Sequence, residues 1–570
     1  MNQADKKNFS TIRLLAGTNF LSSFNPAFFC TFTALLVFHD TAVFEKLAMS
    51  ILFTFAIFAL PLLFTGIPEH YLTTRYSCRN VVTFSRFFEC ITAIAAAAIL
   101  ALPDKSAFLF FLPVLLQGIE YAMYRPALKC YTAEMVPRHL LSKASALTEA
   151  TTFFGIAAGA SSAAWLYHVQ TLFGGCVFYA GLLSAILALY ALILGTRLRP
   201  DPALKHNLRF SELPRRWLDS LRHQPRYREL VLTGIGESYI FAIMIFVAAL
   251  TVQYIFTLQE DYTTSLLTSF FLLPSAVLGC AFGCLAGGWL SKNNVELGLV
   301  PPSVLAMTVF SLLTGTLPYY ADVVIESGLL AILLFFFGLF SGIMLIPVQA
   351  YQEYFVKKSL RSAFFSWFYL PFGLGILSAI ALSCLLYHYN IPLHTATSLV
   401  AIFTLLLAAV TFTFMSQFLL RMLMKLLLCT LYRLRIFHKE RLPEEGPALI
   451  VANRASFVDI FFISAATTRP IRFMLHESFF RNPFMRPLYR GAGFFEVNPT
   501  RPKKLKLLFE QTKQALAKGE LVCVFPEGEI TRNGTMSEFK DGVSAMLPEN
   551  MEVPIIPVRI GMTWGSIFSC

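Results

Sequence analysis

Residues 324–350 read VIESGLLAILLFFFGLFSGIMLIPVQA. After Glu326 this run holds no charge, and no polar side recurs at helical period. A helix spanning the hydrocarbon core needs about 20 mostly apolar residues, so the stretch reads as a membrane span. The same criterion, carried outward, gives twelve runs: 11–38, 46–68, 81–102, 107–124, 145–167, 171–196, 230–257, 265–290, 299–318, 324–350, 362–387 and 395–424. From Leu442 onward the pattern changes to short strand-like runs between polar helices, as in an α/β domain. The expectation is therefore a polytopic α-helical membrane protein with a small α/β domain behind it.

Composition agrees. Of the 570 residues 56% are hydrophobic and 14% charged, against roughly a quarter charged in soluble domains. The net charge of +12 does not point to nucleic acid, because the basic residues sit in short loops and no basic-aromatic module appears. The 11 cysteines are scattered. Cys280 and Cys284 share a helix face without His or Cys partners at metal spacing, so they read as core and no metal is expected. Met1–Ser10 lacks a cleavage pattern, and the first apolar run reads as a retained span.

Loop charges orient the spans. One set of loops carries Arg75, Arg79, Arg125, Lys129, Arg138, Lys143, the Arg-rich loop 197–229, Lys292, Lys357, Lys358 and Arg361. The alternate set has Lys46 and Lys105 beside Asp40, Asp104, Glu260, Asp261 and Asp322. Both termini are expected on the cytoplasmic side. Loop 197–229 divides the spans six and six, and its prolines exclude one continuous helix. Two related halves with a site between them would follow.

Charges inside spans mark a pathway or a structural ion pair. Arg86 and Glu89 are spaced to pair with each other. Glu120 and Glu237 read as pathway residues. Glu149, near the start of its span, reads as a pathway residue, a cap or an interfacial side chain.

Arg125-Pro126-Ala127 through Glu134, Ala146 through Thr152, and Gly287 through Pro301 resemble bacterial lysophospholipid transporters of the major facilitator superfamily. Gly338, Gly342, Pro347, Ala350 and Gln352 fit that family's tenth helix. The resemblance covers residues 10–425 and implies a rocking, alternating-access flippase in the bacterial inner membrane that carries lysophospholipid inward. Asn25 and Lys129, at or beside positions of that family's motifs, join Glu120, Glu149 and Glu237 as the expected pathway residues. The family's first-helix Asp is missing at Phe24-Asn25-Pro26-Ala27, His70 and Thr74 stand where its next loop has Gly and Asp, and Lys129 is displaced by one position.

Four blocks follow in order: Asn453-Arg454-Ala455-Ser456-Phe457-Val458-Asp459; Gly493 through Asn498 with Arg501; Phe525-Pro526-Glu527-Gly528-Glu529-Ile530-Thr531-Arg532; and Val553 through Val558. Together they resemble glycerophospholipid acyltransferases. The third block and the ending Trp564 through Ser569 are similar to fused bacterial enzymes that reacylate 2-acyl-glycerophosphoethanolamine. The resemblance implies acyl-acyl-carrier protein or acyl-CoA as donor, no other cofactor, and carrier protein and membrane lipid as partners. It implies acceptor contacts from Glu527, Gly528 and Thr531, with Arg532 and Arg501 each as a phosphate ligand or a surface residue.

Attack of a glycerol hydroxyl on a thioester needs a base poised near neutrality. The family has His, four residues, then Asp. Here Arg454 precedes Asp459, and a guanidinium cannot accept a proton. His476 shows no spacing that makes it a replacement. A folded domain with poor or no transfer activity is expected. The domains read as 1–425, a connector at 426–441, and 442–570. Segment 421–439, with Lys425, Arg433 and Arg435, reads as a membrane-surface hold or a plain connector. The fused family commonly continues into an adenylate-forming domain, so a shortened chain is expected. Two other readings stay open: a transporter whose lipid-binding domain is silent, and a proton-coupled exporter of amphipathic compounds.

Overall fold

The computed structural model describes residues 3–561 except 41–46, 102–106, 174–176, 202–226, 259–261, 292–294, 317–322, 390, 392, 432–434 and short stretches further on, Arg532 among them. Most of loop 197–229, with Lys46, Lys105, Lys292 and Arg433, therefore lies outside the described residues. The chain forms two compact units, Met1–Val295 with Pro302–Leu407, and Glu296–Pro301 with Ala408–Cys570.

The first unit is helical. Its elements are α1 (Gln3–Asp40), α2 (Leu47–Ala59), α3 (Gly66–Arg75), α4 (Cys78–Ala101), α5 (Phe111–Met135), α6 (Leu141–Phe173) and α7 (Val177–Thr196). They continue as α8 (Tyr227–Leu258), α9 (Tyr262–Ser291), α10 (Val300–Thr316), α11 (Val323–Phe355), α12 (Arg361–Trp367), α13 (Tyr369–His388) and α14 (Leu393–Phe414). Among the described residues nine segments are long and apolar enough to span a membrane, ten if the bent segment Met49–Leu63 with Gly66–Arg75 counts as one. The protein is thus a multi-pass membrane protein. Helix α5 is absent from that set; it carries Gln117, Glu120, Arg125, Lys129 and Glu134. Most of those side chains are satisfied by neighbouring helices rather than by lipid or water. Helix α1 lies along α6, close enough that a Cβ on Gly155 would stand 2.4 Å from the Phe20 carbonyl oxygen.

The predicted span 395–424 is in fact two helices, α14 ending at Phe414 and α15 (Ser416–Leu431). Helix α15 belongs to the second unit. There it packs on the turn Leu297–Leu299 and on α16 (Asp459–Ala466). Arg421 is buried in an ion pair with Glu296, which gives a physical reason for the chain to leave the apolar run.

The rest of the second unit is a five-stranded parallel sheet in the order β3-β2-β4-β1-β5. The strands are β1 (Ala448–Ala452), β2 (Ile471–His476), β3 (Phe495–Val497), β4 (Leu521–Val524) and β5 (Ile555–Val558). Strands β1 and β4 are continuously apolar because both faces of a parallel sheet are covered. Ala448, Ile450 and Ala452 face a core with Ile460 and Ile463 of α16. Leu449, Val522 and Val524 face the opposite core, with Leu508 and Leu516 of α17 (Pro502–Ala517). Neighbouring parallel strands bring the carboxyl ends of β4, β1 and β5 side by side, where ligands of open α/β sheets bind.

Candidate functional site

Those three strand ends carry the first, third and fourth sequence blocks. Asn453, directly after β1, donates through Nδ2 to the Ile560 carbonyl at 3.0 Å and accepts the Ile560 amide at Oδ1 at 2.7 Å. Glu527, 3% exposed, accepts the backbone amide of Arg454 at 2.9 Å and that of Ser537 at 3.0 Å. The Thr531 amide donates to the Arg454 carbonyl at 3.1 Å, and the Thr531 hydroxyl to the Thr535 carbonyl at 2.6 Å. Gly528 turns the chain after Glu527 with φ +74°, a conformation that favours glycine. Asp459 is fully buried in the first turn of α16 and accepts the Ser456 amide at 2.7 Å.

The block-one loop is therefore framed on both sides by backbone hydrogen bonds. Within that frame the Arg454 guanidinium lies 5.3 Å from the Phe525 ring centroid, a cation–π arrangement. Of the residues grouped by sequence reading, Glu527 and Thr531 are hydrogen-bonded to the backbone of Arg454, Gly528 follows Glu527, and the described bond of Asp459 is to Ser456 of its own block. The described contacts of Glu527 and Thr531 are to the protein's own backbone, so they shape the site. Arg501 is exposed, at the N-cap position of α17 behind the edge strand β3. His476 ends β2, separated from β1 by β4, and is exposed. Arg532 lies outside the described residues. A cleft of about 370 Å³ beside β3 is lined by Arg472, Arg490, Phe494, Phe495 and Lys518, not by Arg454, Asp459 or Glu527.

The helical unit has its own buried polar system. Arg86 lies between Glu89 and Glu120, all three at most 1% exposed, with its guanidinium 3.8 Å from the Tyr124 ring centroid. Asn25 donates to Glu89 at 2.7 Å and accepts the Ser184 hydroxyl at 3.1 Å. Thus Arg86 and Glu89 do pair, and Glu120 is the third member. Arg125 makes a two-pronged contact with Glu149 at 2.8 and 2.9 Å and reaches Thr152 at 3.2 Å. Asn19 adds a bond to the Thr148 carbonyl at 2.6 Å. Glu149 is only 3% exposed and sits well inside α6, so it is neither a cap nor an interfacial residue. Lys129 of α5 pairs with Glu237 of α8, which also accepts Gln349 of α11 at 2.9 Å. Ser145 of α6 donates to Glu353 of α11 at 2.9 Å.

All five predicted pathway residues are thus buried and joined to partners on other helices. Sequence reading missed Gln349 and Glu353 as members. Their signal is a polar run, Gln349 through Glu353, closing an otherwise apolar span. Gln117 and Gln352, each 1% exposed, have side-chain amides without a hydrogen-bond partner among the described residues. Buried polar groups normally find partners, so these amides are free to take water or a polar ligand.

The sequence profile of the Major Facilitator Superfamily matches residues 15–379, more than half of the chain. This chain belongs to the Major Facilitator Superfamily. The acyltransferase family profile matches residues 433–561. Among curated proteins, a 1-acyl-sn-glycerol-3-phosphate acyltransferase of Chlamydomonas reinhardtii is 30% identical over 131 residues, 23% of this chain and 39% of that protein. The human beta enzyme of that name is 28% identical over 22% of this chain and 45% of its own length. The Pseudomonas aeruginosa enzyme is 30% identical over 22% and 49%. The chain spans less than half the length of these relatives. Among solved structures, the proton:xylose symporter XylE superposes with a TM-score of 0.53 at 14% identity, covering 71% of this chain and 96% of that one. The human organic anion transporter MFSD10 gives 0.54 at 13%, covering 72% and 99%. At these identities the likeness is one of fold.

Proposed function

We propose that this chain is a lysophospholipid flippase with a tethered glycerophospholipid acyltransferase-like domain. On this reading twelve spans in two six-helix halves move a lysophosphatidylethanolamine-like lipid to the inner leaflet of a bacterial inner membrane, with both termini cytoplasmic. The domain receives the lipid there for reacylation, with acyl-acyl-carrier protein or acyl-CoA as donor. One observation carries the reading: a transporter-family body and a domain related to enzymes named for lysophosphatidate share one chain. Both parts then converge on a single substrate class. Tethering raises the local concentration of the domain at the membrane without any new contact.

Arg454 favours a second form of the same proposal. With no base at that position, the domain binds lysophospholipid and transfers acyl groups poorly or not at all. The test is transport of fluorescent lysophosphatidylethanolamine by the purified chain in proteoliposomes, with lysophosphatidate and a cationic amphiphile as competitors. Transfer to the far leaflet, blocked by lysophospholipid and not by the cation, is expected. Export of the cation driven by a pH gradient, without lipid movement, would establish a drug exporter instead.

A further inference from the structure

Three elements of the helical unit meet at one end of α4 and α5. Cys78 is the first residue of α4, Cys130 and Glu134 stand one turn apart near the end of α5, and Asp201 follows α7. The Cys78 sulfur, a Glu134 oxygen and an Asp201 oxygen all lie within 4.8 Å of one another. Cys130 lies four residues before Glu134, on the same face of α5, near enough to Cys78 for the two thiols to interact. Cys78, Cys130 and Asp201 are 5%, 2% and 8% exposed, so the cluster is sheltered while Glu134, half-buried, borders solvent. Glu134 Oε1 is sealed from solvent and has no hydrogen-bond partner among the described residues.

We propose that Cys78, Cys130, Glu134 and Asp201 form a binding site for one zinc-class divalent ion. Two thiolates and two carboxylates make four ligands, the number zinc prefers, and thiolates favour zinc over magnesium or calcium. Zinc–sulfur distances of about 2.3 Å and zinc–oxygen distances of about 2.0–2.2 Å set ligand separations near 3.5 Å in a tetrahedron. Asp201 already holds the start of α4, accepting the amides of Cys78 at 2.8 Å and Arg79 at 3.2 Å. A carboxylate has about four lone-pair sites, which leaves room for a metal bond. Binding would release two thiol protons and leave the filled site with net negative charge. Lys358 and Arg361 lie close enough to Glu134 to offset it. The ligands are spread over positions 78, 130, 134 and 201, so linear spacing hides the site.

The experiment uses the full chain in detergent, stripped of metal and fully reduced, titrated with cadmium as a spectroscopic stand-in and then with zinc in competition. One equivalent of cadmium is expected to give a thiolate-to-metal charge-transfer band that zinc removes. Cys78→Ser and Cys130→Ser should each weaken binding at least about tenfold and diminish the band. Glu134→Gln should weaken it by a similar factor while leaving both thiols and the melting temperature in place, which separates lost binding from lost folding. Cys280→Ser, in a pair without these carboxylates, should change nothing. No charge-transfer band, a band that survives Cys78→Ser, or a Cys78–Cys130 disulfide that resists reduction would overturn the proposal.

Discussion

The helical unit and the C-terminal domain both bury polar groups, but they hold them in different ways. Around the pathway carboxylates of the helical unit side chain meets side chain: Arg125 with Glu149, Lys129 with Glu237, Arg86 with Glu89 and Glu120. In the C-terminal domain side chain meets backbone: Glu527 holds two amides, Asn453 clasps both polar groups of Ile560, and Asp459 holds the Ser456 amide. A frame built on backbone is indifferent to the side chain at position 454. A network built on side chains depends on every member. That difference explains how the acyltransferase-type loop keeps its hydrogen-bonded frame around an arginine that cannot act as a base.

The largest effect should come from restoring the base. Arg454→His is expected to raise acyl transfer to lysophosphatidylethanolamine by about 10²–10⁴-fold, the usual contribution of a positioned general base. The assay is product formation by the purified chain with acyl-acyl-carrier protein as donor. The melting temperature should move little, because the described hydrogen bonds of Glu527 and Thr531 to residue 454 are made to its backbone. A large gain in stability without a gain in transfer would show that the side chain, not the frame, governs this loop.

The helical network should respond in the opposite way. Arg125→Leu leaves Glu149 buried without its cation, which typically costs about 3–5 kcal/mol. The double change Arg125→Leu with Glu149→Leu should recover much of that loss. Thermal unfolding of the two variants beside the parent measures both. A single variant as stable as the parent would mean that water already reaches Glu149, and the contrast between the two regions would fail there.

Much of this arrangement is legible in the sequence. Hydropathy locates helices at each predicted span, and block order locates the strand ends that carry Asn453, Glu527 and Ile560. What stays hidden depends on which helix faces which. Arg86 and Glu89 announce each other by spacing, but Glu120 joins them from α5. Glu149 stays open between pathway residue, cap and interfacial side chain, because its partner, Arg125, is on another helix. The break at Met415 is also invisible, since residues 395–424 are uniformly apolar enough to read as one span. Only the pairing of Arg421 with Glu296, far away along the chain, gives a reason to bend there.

The smallest effect tests the contrast at its margin, where a carboxylate of the C-terminal domain is held by side chains. Glu477, just after β2, is drawn below the usual carboxylate range, first by a hydrogen bond from Asn498 and then by Lys504. A carboxylate with a depressed folded value adds stability that is present above its unfolded value, about pH 4.3, and is lost as pH falls through the folded value. The Lys504 partner is exposed and Glu477 only partly covered, so salt should screen much of the effect. Amide exchange in the β2 and β3 peptides of the intact chain, followed from about pH 6 to pH 3, reads it locally once intrinsic exchange rates are divided out. At low salt the parent should lose more protection across that range than Glu477→Gln, and added salt should erase the difference. Equal losses at low salt would mean that the Asn498 and Lys504 contacts carry no stability, and the side-chain hold on Glu477 would count for nothing beside the backbone bonds of the Arg454 loop.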